Sequence, residues 1–192
     1  MTTTMNRLPV STWNPLGVNY APASAALPTV PADGWAKAEI LSPALPAGVT
    51  APAEADFTDF AASGMGAETD AWLAENANLV NHLAVTGTAD APVVFENTLD
   101  ADHPHALTCL TIDAAEGSSL TVVQVVRGDA ENGVSANLTR IRAAENSHVT
   151  LVQVQLLGNR ARRWNAVAIE QGKSARVEQV RIELGGAVVA CG

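Results

Sequence analysis

Five residues able to hold a metal or move a proton crowd into the ten positions of "DADHPHALTC": Asp100, Asp102, His103, His105 and Cys109. In an extended segment His103 and His105 point the same way, and imidazole beside thiolate suits zinc or iron. The spacing matches no closed four-ligand site, so the competing reading is a solvated loop leading into a strand. Gln124, Gln153 and Gln179 recur at nearly regular intervals. Stacked, their amides can bond to one another as a ladder; the functional alternative is a polar lumen used for transit. Arg140, Arg142, Arg160, Arg162 and Arg163 form a basic stretch, suited to an interface, to an anion or simply to a solvated face. His82 and His148 stand alone. Cys191 is the more accessible thiol expected, though reactivity would require nearby cations to lower its pKa. No serine, histidine and acid share a nucleophile-elbow setting, and no Walker-type glycine loop occurs.

The bulk numbers narrow the class of protein that must position these residues. A chain of 192 residues with 47% hydrophobic and 16% charged residues can bury a core and is not disordered in composition. A net charge of −9 argues against nucleic acid, whose phosphates require a surplus of Lys and Arg. The charge is uneven. Residues 1–126 hold two basic residues, Arg7 and Lys37, against fourteen acidic ones, whereas 127–192 hold nine against six. With neither a signal peptide nor a membrane-length apolar run, the expectation is a soluble, cytoplasmic protein with no membrane partner. Cys109 and Cys191 then read as free thiols, and the acceptor pattern Asn137-Leu138-Thr139 as a chance match.

Eight of the ten prolines fall between Pro9 and Pro52. Proline removes a backbone donor and keeps its predecessor out of the helical region, which predicts an extended, irregular segment anchored by Trp13, Leu16 and Trp35. "AETDAWLAENA" (67–77), preceded by Gly66 and with Glu68 and Asp70 in its first turn, predicts a short helix that docks through Trp72 and Leu73. "LVNHLAV" (79–85) and "PVVFEN" (92–97) then predict brief strands. The expected division is 1–78 for the Pro/Ala-rich segment and helix, and 79–192 for a strand-rich unit.

That unit repeats itself. "EGSSLTVVQV" (116–125) returns twenty-nine residues later as "ENSHVTLVQV" (145–154), and more weakly after another twenty-six as "QGKSARVEQV" (171–180). Aligned so, Leu120, Val149 and Ala175 form one column; Val122, Leu151 and Val177 a second; Val125, Val154 and Val180 a third. Gly117, Asn146 and Gly172 mark a corner that tolerates positive φ. A coil of short strands cannot bury its apolar face alone, but coils stacked at about 4.8 Å bury a continuous interior and pair their backbones. The fold class expected is all-β, a parallel β-helix, with a Pro-rich irregular N-terminal segment and a short helix.

Together "LPVSTWNPLGVN" (8–19), "GMGAETDAWL" (64–73), the "EGSSLTVVQ" rung and the closing "VRIELGGA" (180–187) resemble the SufB/SufD family of the Suf iron-sulfur cluster assembly system, and its short SufD-like members in particular. The resemblance implies a right-handed parallel β-helix and a non-enzymatic scaffold that binds SufB-type and SufC-type partners, with ATP hydrolysis left to SufC. It further implies an iron-sulfur cluster held transiently by the full complex rather than by a cofactor of this chain, and self-association through the β-helix. Family members continue into further coils and a helical segment, so the chain reads as a fragment or truncated form. No catalytic, cofactor-binding or metal-ligating residue is therefore carried over. The competing class is a β-helix carbohydrate-binding or polysaccharide-active module; a single tyrosine and the lack of an export signal weigh against it.

Overall fold

The computed structural model describes residues 33–36, 38–40, 44–54 and 60–192; Trp13 and Leu16 lie outside them. The elements in chain order are β1 (Ala38–Ile40), β2 (Val49–Thr50), α1 (Ala67–Asn76), β3 (Leu79–Val85), β4 (Val93–Leu99), β5 (His105–Ala114), β6 (Ser119–Gly128), β7 (Val134–Ala143), β8 (His148–Leu157), β9 (Arg162–Gln171), β10 (Arg176–Gly185) and β11 (Val188–Cys191). From β3 onward alternate strands go to alternate sheets. One sheet runs β11-β9-β7-β5-β3-β2 and the other β1-β4-β6-β8-β10. Every pairing among β3 to β11 is parallel, so the chain is a two-sheet parallel β-solenoid of about four turns, as its repeats predict. The short strands β1 and β2 pair antiparallel with β4 and β3, and so cover the backbone edge of the first rung.

Coil length follows from the register: Leu79 pairs with Thr108, Thr108 with Asn137, and Asn137 with Asn165. Each turn therefore takes twenty-nine residues, falling to twenty-eight where the corner at 129–133 is replaced by the shorter 158–161. The first two copies stack as the sequence predicts, with Leu120 beside Val149, Val122 beside Leu151, and Val125 beside Val154. The third is offset by two residues. Val149 meets Val177, Leu151 meets Gln179, and Val154 meets Ile182, while Ala175 lies in the corner before β10. Likeness between "VEQV" and "LVQV" favours a spacing of twenty-six, but corner geometry sets the backbone register. Gly117, Asn146 and Ser174 all have positive φ, at 68°, 58° and 56°, and they, not Gly172, form the column.

Gly172 is required for a different reason. A Cβ there would stand 2.8 Å from the Glu145 nitrogen, because this corner sits directly on the backbone of the one before it. Ser174, by contrast, carries a side chain in a conformation that costs L-residues about 1 kcal/mol.

Side chains of the two sheets meet in an interior of three bands. At the upper corners Leu83, Ile112, Ile141, Leu120, Val122, Val149 and Leu151 form an apolar core, and at the lower corners Leu99, Ala106, Val126, Leu157 and Ala161 form another. Polar side chains fill the middle. Outside the first sheet, α1 and the segment before it cover Leu107, Cys109, Leu138, Trp164 and Ala166 through Met65, Trp72 and the fully buried Leu73. The helix is too short to hold alone. It is braced at its start, where the Asp70 carboxylate accepts hydrogen bonds from Ser63 N and Ser63 Oγ, each at 2.6 Å. The outer face of the second sheet carries two aligned apolar rows, Val123, Val152 and Val180, and Val125, Val154 and Ile182, beside a mixed row of Arg127, Leu156 and Leu184. Leu156, Val180, Ile182 and Leu184 are exposed.

The two corner positions separate by mutation. Gly172→Ala is expected to destabilise by about 1–3 kcal/mol through overpacking, whereas Ser174→Gly is expected to be neutral or to stabilise by up to about 1 kcal/mol. Thermal unfolding of the two variants checks this; the spacing of twenty-six would give the reverse order.

Candidate functional site

The middle band is a cross-linked set of amides. On the first sheet Thr108, Asn137 and Asn165 stack in one column, with Thr139 beside Asn137 on the same strand; on the second, Gln124 pairs with Gln153. Parallel strands place equivalent side chains one rung apart, within reach of one another. Thr108 Oγ1 donates to Asn137 Oδ1 at 2.8 Å, and Asn137 Nδ2 donates to Asn165 Oδ1 at 2.9 Å and to Thr139 Oγ1 at 3.0 Å. Gln153 Nε2 donates to Gln124 Oε1 on the adjoining strand at 2.8 Å and, across the lumen, to Asn165 Oδ1 at 3.1 Å. Gln153 Oε1 accepts from Asn165 Nδ2 at 2.9 Å and from Gln179 Nε2 at 3.1 Å. Gln124 Nε2 completes Asn137 by donating to its Oδ1 at 3.3 Å.

An amide has two donors and two acceptor positions. Asn137 and Gln153 use all four, which is why both sit in the interior at no more than 3% exposure. The glutamine ladder inferred from sequence is thus present between Gln124 and Gln153. Gln179 joins by a diagonal bond, since in register Gln153 lies beside Arg181. Thr108, Asn137, Thr139 and Asn165 escaped the sequence reading, although three of them recur at the coil spacing, a signal that stacking the first strands would have exposed. Asn137, in the apparent glycosylation acceptor, is buried and fully hydrogen-bonded.

Toward the last rungs the band becomes charged. Arg163 is buried, donates from Nη1 to Ser135 Oγ at 2.9 Å, and places Nε 3.4 Å from Glu183 Oε2. Burial lowers the Arg163 pKa, and the Glu183 carboxylate opposes that shift. Cys191 Sγ lies 3.6 Å from Glu183 Oε1. Burial raises the Cys191 thiol above its ordinary range, with Arg181 opposing, and does the same to Cys109, with Arg140 opposing.

The five arginines of the basic stretch disperse. Arg162 is exposed and Arg163 points inward, Arg160 pairs with Asp129 at 2.9 Å, and Arg142 pairs with Glu170 at 3.5 Å while lying 5.8 Å from the Phe60 ring centre. The guanidinium of Arg140 is partly buried on the outer face of the first sheet, beside Thr111 in register.

The "DADHPHALTC" residues also separate. Asp100 organises its turn by accepting from the backbone of Asp102 at 2.9 Å and of His103 at 2.7 Å, with the His103 ring 3.1 Å away. Those backbone bonds, the His103 one foremost, lower the Asp100 pKa. His105 opens β5, with burial lowering its pKa, and Cys109 faces α1. Among the described residues no group of three or more His, Cys, Asp or Glu is placed to hold a metal ion; residues 100–104 form a turn and lead into β5, which carries His105 and Cys109. His82 bonds Thr111, and His148 lies 3.3 Å from Glu178 on the surface.

The chain is thus a two-sheet parallel β-solenoid whose lumen is filled by a hydrogen-bonded amide band. Residues 97–191, from the end of β4 to β11, match the family model described as SUF system FeS cluster assembly, SufBD core domain. The match covers just under half of the chain, and its description names SufB and SufD alike. Searches of curated proteins and of solved structures found no match.

Two outcomes follow from this geometry. Gln153→Leu and Asn137→Leu are each expected to cost about 3 kcal/mol or more in chemical denaturation, because every partner left behind is a buried, unpaired amide or hydroxyl; Gln179→Leu, at the exposed end, should cost less than about 1.5 kcal/mol. Because both thiol pKa values are raised, the thiolate fraction at neutral pH is below that of a free cysteine. Ellman's reagent should therefore modify native protein slowly near pH 7, faster as pH rises, and both thiols promptly once the chain is unfolded.

Proposed function

We propose that this chain is a non-enzymatic, SufD-like scaffold subunit of the Suf system, working in the cytoplasm and binding SufB-type and SufC-type partners. One observation carries the reading: the SufBD core match spans the same rungs that build the stacked lumen, so sequence likeness and fold coincide on one stretch of chain. Two further features support it. The amides of Asn137 and Gln153 have all their hydrogen-bonding capacity committed to neighbouring side chains, the arrangement of a rigid frame. The exposed apolar rows around Leu156, Val180, Ile182 and Leu184 are the kind of surface that marks contact with other proteins. Clusters would be assembled on the complex as cargo, with the solenoid holding the subunits in place. No helix among the described residues is long and apolar enough to cross a membrane.

Co-expression tests the proposal. Tagged full-length chain produced beside a SufB-type and a SufC-type protein should retain at least one of them through affinity and size-exclusion steps. Recovery of the chain alone, with both partners folded and present in the lysate, would remove the scaffold reading.

A further inference from the structure

A cavity of about 30 Å³ lies beside Asn81, Asn97, Gln124, Ser135, Asn137 and Arg163. Its lining grades from half-buried at Asn81 and Asn97 in the first rung to buried at Ser135, Asn137 and Arg163. The cavity exists because short side chains occupy the sheet column Ala106, Ser135 and Arg163 until its last member, leaving space opposite Asn97 and Val126.

Its walls are not apolar. Asn97 Oδ1 is a shielded acceptor, and Arg163 Nε a shielded donor, with no hydrogen-bond partner among the described residues. Arg163 Nε faces Glu183 Oε2 at 3.4 Å without hydrogen-bond alignment, and that carboxylate oxygen also has no hydrogen-bond partner. Ser135 Oγ accepts from Arg163, which leaves its hydroxyl proton free to donate. Leaving such groups dry is costly because each loses its hydrogen bond to water without replacement, whereas an occupant able both to accept and to donate satisfies them.

We infer that this cavity is an internal hydration site, in which one or two water molecules bridge Asn97 Oδ1, the Ser135 hydroxyl and Arg163 Nε. The size agrees: a buried water needs about 10 to 15 Å³ of such space and two to four polar partners. Larger solutes do not fit. The waters extend the amide network toward the buried arginine, so the charge of Arg163 is stabilised by a hydrated chain as well as by Glu183. This inference stands apart from the proposed function, since it depends on the lumen and not on any partner.

The test uses the full chain, isotope-labelled, and water itself as the probe. Water-to-protein cross-peaks are expected at the side-chain amides of Gln124 and Asn137. Oxygen-17 relaxation dispersion should count at least one long-lived water more in the native protein than in Asn97→Leu, whose apolar group fills the space. Should Asn97→Leu not fold, Ser135→Thr keeps the hydroxyl, adds a methyl to the cavity and is expected to lose the same signal. Absence of water cross-peaks at both amides in the unaltered protein, or an equal count of long-lived waters in the protein and its folded variants, would overturn the assignment.

Discussion

Parallel pairing of one rung upon the next is the constraint on which the rest of this structure depends. Each strand from β5 to β8 has both backbone edges satisfied by equivalent strands one coil away, so no residue of these rungs chooses its neighbours independently. Antiparallel sheets juxtapose unlike sequence positions. Here position 120 must accommodate position 149, and 108 must accommodate 137. Repetition in the sequence is the chemical trace of that geometry: apolar residues recur where they stack at the upper corner, and amides recur where they stack in the middle.

The same constraint explains how a polar band survives inside a narrow solenoid. A lone buried amide would leave up to four hydrogen-bonding positions dry. Stacked and facing amides supply one another, and the apolar bands on either side keep water from competing. A low local dielectric strengthens such bonds when they are complete and raises the cost of each one missing. The band is therefore cooperative by construction, and its weakest member is the one nearest solvent, Gln179.

Much of this is legible in the amino-acid order alone. The spacing of twenty-nine pairs Leu120, Val122 and Val125 with their true neighbours, and the change from helical to strand periodicity places α1 and β3. Reading by likeness fails where a one-residue deletion at 158–161 coincides with a chance echo, so that Ala175 is matched to Val149 in place of Val177. The error is even in number, which preserves the face a side chain points to while changing its neighbour. The Arg stretch illustrates the other limit. Arg162 and Arg163 are adjacent in sequence, but strand alternation sends one to solvent and the other to the lumen; composition alone cannot tell which. The cluster around His103 and Cys109 looks close because ten residues is a short run, yet the strand it enters carries Cys109 away beneath a helix.

Valine-rich strands create a register problem that the lumen solves. Val122, Val123, Val125 and Val126 face Leu151, Val152, Val154 and Gln155, and a slide by two residues would still stack aliphatic groups on aliphatic groups at little cost. That is the same degeneracy that makes the third repeat easy to misplace by eye. The amides remove it. After such a slide Gln124 would lie against Leu151 or Gln155, and the mutual saturation of Gln153 with Asn165 and of Asn137 with Thr108 would be lost together, several buried bonds at about 1–3 kcal/mol for each group stranded. Apolar packing makes the solenoid stable, while the polar band makes one register of it far better than its nearest competitors. A frame that must hold a fixed outer surface needs the second property as much as the first, and in this chain the two are carried by different bands of the same interior.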